Sequence, residues 1–191
     1  MTEGDRRYLI GSGPGTLTYE DYCALPDDGL RYEVIEGFLF SEPSPRRAHQ
    51  QAAANLHLIL GPHVREHGLG QVFIAPFDVI LDRRTVVVPD LVFVARERAG
   101  IVTERAVEGA PDLIIEILSP RTARRDRVAK LNAYARRGVR HYWVVDPEAR
   151  TLEAFELVQG AYRLEAAVGG DDALRPGLFP GLVISLPELW R

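Results

Sequence analysis

A chain of 191 residues with 46% hydrophobic and 26% charged residues is composed like a soluble globular fold and is long enough to bury a core in one domain. The formal net charge of −4 excludes a protein that binds nucleic acid by overall basicity, and the lone Cys23 excludes an intrachain disulfide framework and a cysteine-rich zinc site. No apolar run approaches a membrane span and the N-terminus lacks a signal-peptide pattern, so a cytoplasmic location without a membrane partner is expected.

In chain order, residues 1–16 are glycine-rich and polar and are expected to be flexible, leaving 17–191 as a single domain. Thr18 and Asp21 have capping-box spacing for a short helix over 19–25. RYEVIEGFLF (31–40) predicts a strand with a tight turn at Glu36-Gly37. Residues 48–67 predict a helix, with Leu56, Ile59, Leu60 and His63 on one face and a kink or early end at Gly61-Pro62. QVFIAPFDVIL (71–81) and TVVVPDLVFVA (85–95) predict two strands joined by a hairpin-length connection. Residues 96–110 are polar and predict a loop or short helix.

DLIIEIL (112–118) is apolar on both faces, as a central covered strand requires. A helix is predicted from a Thr122 cap to Arg137, with Val128, Leu131 and Ala135 as its buried stripe. VRHYWVVD (139–146), TLEAFELV (151–158) and AYRLEAA (161–167) predict strands, and GLVISL (181–186) predicts a further edge strand. The fold class is therefore α/β, with a mixed sheet flanked by helices, an αβββαβ core, an N-terminal hairpin and extra C-terminal strands.

Three residues stand out against this pattern. Alternation places Val86, Val88, Asp90, Val92 and Val94 on one strand face, and Ile114, Glu116 and Leu118 on another. A carboxylate inside an apolar row is costly unless it is paired or bridged by a cation. If the two strands are neighbours, Asp90 and Glu116 converge, which suits Mg²⁺; ion pairing with arginine is the structural alternative. Asp112 lies too far along its strand from Glu116, roughly 13 Å, to share one ion, and reads as a strand-start residue.

Lys130 is the only lysine among 23 basic residues. A compact ammonium kept where every other cation is arginine suggests a point charge facing the sheet end beside Glu116; an exposed Asp126–Lys130 pair is the plainer alternative. Its replacement by methionine is expected to abolish catalysis and to leave the fold and metal binding nearly intact. Glu33 is a candidate third carboxylate, and Asp78 a weaker one. His49 is a candidate phosphate contact or acid/base, while His57, His63 and His67 read as structural. The segment from Arg121 to Arg140 holds Arg121, Arg124, Arg125, Arg127, Lys130, Arg136, Arg137 and Arg140 against the single acid Asp126, a local block that attracts phosphate or forms a solvated face.

Taken together, RYEVIEG (31–37), His49-Gln50, VVVPDLVFV (86–94), PDLIIEILSP (111–120), Lys130, Tyr134 and GVRHYWVVDP (138–147) resemble the Uma2 family (DUF820), a restriction-endonuclease-like group of the PD-(D/E)XK superfamily. The resemblance implies a metal-dependent endonuclease of DNA using Mg²⁺ or Mn²⁺. It implies Asp90, Glu116 and Lys130 as catalytic residues, with Asp90, Glu116 and Glu33 as metal ligands. His49, Arg121, Arg124 and Tyr134 then bind substrate, and a homodimer is expected. One departure is visible: Leu118 stands where the superfamily pattern places lysine, so the lysine has moved to the following helix. The alternative function is a catalytically silent nucleic-acid-binding or regulatory protein on the same fold.

Overall fold

The computed structural model describes residues 15–42, 44–120 and 122–191. The start expected to be flexible thus lies, up to residue 14, outside the described residues. Helix α1 (Tyr19–Cys23) has the expected reciprocal cap, in which Thr18 Oγ1 accepts from the Asp21 N–H and the Asp21 carboxylate accepts from the Thr18 N–H. Strands β1 (Arg31–Ile35) and β2 (Phe38–Glu42) form the N-terminal hairpin. Gly37 turns it with φ 81°, and a Cβ there would meet Gly15 O at 2.4 Å, so glycine alone fits.

Helix α2 (Arg47–Glu66) runs through Pro62, which corrects the expected early end. The carbonyl that loses its partner belongs to Leu58, which is 68% exposed, so water is at hand to satisfy it.

Each of the two long predicted strands breaks at a proline. Residues 71–81 form β3 (Gly70–Ile74) and β4 (Asp78–Asp82), and residues 85–95 form β5 (Thr85–Val87) and β6 (Leu91–Ala95). Pro76 and Pro89 have no N–H for a ladder, and at each the chain passes from one sheet to another. Val86 and Val92 therefore belong to different sheets, and Asp90 lies in the crossover before β6. The expected single row from Val86 to Val94 does not exist.

A 3-10 turn (Arg96–Ile101) leads to a short strand that the sequence reading lacked, β7 (Ala106–Glu108), paired parallel to β4. Strand β8 (Leu113–Ile117) is buried throughout. A π turn (Arg125–Lys130) runs into α3 (Leu131–Arg136). Strands β9 (His141–Asp146), β10 (Thr151–Val158) and β11 (Ala161–Gly169) follow as expected. The predicted edge strand at 181–186 is reduced to β13 (Ile184–Ser185), paired only with β12 (Ala173–Leu174), before α4 (Leu186–Leu189).

The strands form two main sheets, ordered β2-β1-β5-β4-β7 and β11-β10-β9-β8-β6-β3. In the larger one β8 is central, parallel to β9 and antiparallel to β6, so the sheet is mixed as anticipated. One face of β8, with Leu113, Ile115 and Ile117, packs with Leu56 and Leu60 of α2. The opposite face, with Ile114 and Leu118, packs with Ala133 and Tyr134 of α3 and with Ile35, Val79 and Val87 of the smaller sheet. Glu116 shares that second face by alternation, which aims it at the π turn.

The stripe predicted for the 122–137 helix holds only in part: Leu131 is half-buried against the core, but the centre of the buried face lies elsewhere. Val128 is 55% exposed, whereas Asp126, Lys130, Ala133 and Tyr134 are the buried positions. Hydrophobicity misled here because the face that must be buried opposes carboxylates of both sheets.

Candidate active site

The site is built where the two sheets meet under the π turn. Glu33, on β1, is fully buried; its Oε1 accepts the Val88 N–H at 2.9 Å and lies 2.9 Å from Lys130 Nζ. Glu116, on β8, places Oε1 2.9 Å from Lys130 Nζ and 2.6 Å from the Tyr134 hydroxyl, which donates to it. Asp126 Oδ1 is 3.7 Å from the same ammonium. One buried cation is thus set among three carboxylates. Arg125 adds a second positive charge, 3.9 Å from both Glu33 Oε2 and Asp126 Oδ1, with its guanidinium over the Phe40 ring.

The helical segment reaches this position through local chemistry. Ser119 Oγ accepts the Thr122 N–H at its start, and Tyr142 donates its hydroxyl to Asp126 O. The wide π turn lets the Leu131 N–H return to Asp126 O, five residues back.

Asp90 joins the site from the crossover. Its Oδ2 accepts the Ile117 N–H at 2.7 Å and lies 3.1 Å from His49 Nε2. The paired register Leu91↔Ile115 sets Asp90 beside the end of β8 that carries Glu116. Asp90, Glu116, Asp126, Lys130, His49 and Arg125 all line one open cavity of about 210 Å³.

The crowding shows in the acid–base behaviour. Burial raises the Glu116 carboxyl well above the usual carboxylate range; Lys130 opposes the shift, and Asp126, Glu33 and Asp90 add to it. Burial likewise raises Asp126 against the pull of Lys130 and Arg125. Tyr134 is pushed well above the usual phenol range by burial and then by Glu116, so its hydroxyl remains a donor.

A divalent cation suits the donor set in kind. Asp90 Oδ1 and Glu116 Oε2 make no hydrogen bond among the described residues, and both side chains line the cavity. Hard carboxylate oxygens in this number match Mg²⁺ or Mn²⁺, which fill the remaining positions with water and phosphate. Among the described residues no three His, Cys, Asp or Glu side chains are gathered into a protein-only metal cage.

Uma2, a family described as "Putative restriction endonuclease", matches residues 19–187 of the chain. The chain belongs to the Uma2 family. This Uma2 chain also matches a crystal structure from Anabaena variabilis ATCC 29413, described as "a putative nuclease belonging to DUF820". The match has a TM-score of 0.75 and 20% identity, covering 91% of this chain and 97% of that one. That likeness establishes a shared mixed α/β fold. No curated protein matches.

The Uma2 site brings together Asp90, Glu116, Lys130, Glu33, His49 and Tyr134 of the residues singled out in the sequence. Glu33 and Tyr134 stand behind the cavity wall rather than on it. Arg124 is exposed on the helix start, and Arg121 lies outside the described residues. Asp112 sits apart as expected, accepting the Ala95 N–H and pairing with Arg98. Asp78 accepts from the Tyr22 hydroxyl. The sequence reading did not give Asp126 or Arg125 a place in the site. The available signal was the i, i+4 spacing of Asp126 to Lys130, a pair that is buried and not exposed. Among the described residues no helix is long and apolar enough to cross a membrane.

Proposed function

We propose that this Uma2 chain is an endonuclease that hydrolyses DNA phosphodiesters with Mg²⁺ or Mn²⁺. The observation that carries the reading is the lone lysine, which contacts Glu116 at 2.9 Å in the same cavity that Asp90 lines. Asp90 and Glu116 would hold the cation. When bound, it supplies positive charge to the phosphoryl oxygens and acidifies water. Lys130 adds charge against the negative phosphoryl group in a low-dielectric pocket. Glu33 and Tyr134 hold Lys130 and Glu116 in place from behind. Arg121 and Arg124, with the cavity-lining Arg31, Arg46 and Arg125, contact the backbone without reading bases.

The test is cleavage of plasmid and oligonucleotide DNA with Mg²⁺ and with Mn²⁺, wild type beside Asp90→Ala. Metal-dependent product from the wild type alone supports the reading. The internal neutralisation of the acids by Lys130 and Arg125 favours one rival, a protein that binds nucleic acid on this fold without cutting it. Salt-sensitive DNA affinity with no product under either metal would select that rival. Action on two strands would call for two copies, so a homodimer in solution is part of the proposal.

A further inference from the structure

His49 enters the cavity from the first turn of α2, with Nε2 3.1 Å from Asp90 Oδ2. The same oxygen accepts the Ile117 N–H at 2.7 Å. The imidazole approaches from the helix and the donor N–H from the central sheet, and the two contacts on one oxygen together define the rotation of the carboxyl group. With Oδ2 occupied twice, Oδ1 is the oxygen left for the site. A phosphate contact would need a ring nitrogen turned to the cavity. Nε2 is instead engaged by Asp90, and Nδ1 is buried without a hydrogen bond among the described residues.

We infer that His49 is a positioning residue that fixes Asp90 with Oδ1 offered to the site, and that it does not itself touch substrate. The inference rests on the metal-dependent reading above for its effect on catalysis, but the orientation of Asp90 is a property of the protein without metal. Partners that orient a metal-binding side chain commonly contribute tenfold to hundredfold to metal affinity.

The experiment combines Mn²⁺ calorimetry, steady-state cleavage and ¹³C spectra of the aspartate carboxyls on wild type, His49→Ala and His49→Gln. The glutamine amide nitrogen can reach the place of Nε2. His49→Ala should weaken Mn²⁺ binding about tenfold to hundredfold. It should also lower kcat with little change in KM for DNA, and shift the Asp90 carboxyl resonance in the metal-free protein. His49→Gln should recover most of each. An Asp90 resonance unmoved in His49→Ala overturns the inference, as does a rise in KM alone, the mark of a lost phosphate contact. A wild type that binds no Mn²⁺ overturns the metal reading instead, and the metal-free carboxyl spectrum still decides the role of His49.

Discussion

Lys130 Nζ lies 2.9 Å from Glu33 Oε1, and this contact joins the smaller sheet to the helical segment that covers the larger one. Glu33 is wholly buried and Lys130 is 2% exposed. A pair so far from water is costly to break on one side only, because the remaining charges keep their desolvation penalty without compensation. The lysine is thus a structural cation as well as a candidate catalytic one.

Lys130→Met should therefore abolish cleavage and also destabilise the fold, by about 3–5 kcal/mol if the carboxylates stay charged. This revises the sequence-based expectation of a nearly intact fold. Urea unfolding of the metal-free variant measures it; an unchanged midpoint would mean that the acids are protonated or rearranged.

Asp90 offers a separation of stability from activity. Asp90→Asn retains an oxygen for the Ile117 N–H and should unfold within about 1 kcal/mol of wild type, yet lose cleavage and Mn²⁺ binding. Asp90→Ala leaves that N–H without its acceptor and should cost about 1–3 kcal/mol. Equal stability of the two variants would show that the backbone contact contributes little.

Tyr134→Phe removes a buried donor to Glu116 and should cost about 1.5–3 kcal/mol if that carboxylate stays charged. Since the hydroxyl stands behind the cavity wall, kcat should fall and KM for DNA should hold. A selective rise in KM would instead return Tyr134 to the substrate-binding role first expected of it.

Burial raises the Asp78 carboxyl above the usual range; the Tyr22 hydroxyl opposes the shift and Glu33 adds to it. The folded state then binds this proton more tightly than the unfolded one. Its stabilising contribution is full below the unfolded pKa, about 3.9 for aspartate, and is lost as pH rises through the folded value. Asp78→Asn should accordingly be more stable than wild type near pH 7 and lose that advantage towards pH 4, read from urea midpoints across the range. An advantage constant with pH would remove ionisation as its cause.

Helices α1 and α2, the helical segment after Thr122, the N-terminal hairpin, the central buried strand and the unusual standing of Asp90, Glu116 and Lys130 were legible in the linear chain, because period, capping and the cost of a charge in an apolar row are local properties. Nothing local could say that Pro76 and Pro89 divide their strands between two sheets, or that Asp90 belongs to a crossover. Those outcomes depend on which distant strands accept each ladder. The phase of the helical segment was likewise decided from outside. Val128 is the residue that hydrophobicity would bury, but carboxylates presented by β1 and β8 draw Lys130 inward instead, and Asp126 is buried beside that ammonium. Charge compensation across two sheets is a property of their packing, so only the tertiary structure could make it visible.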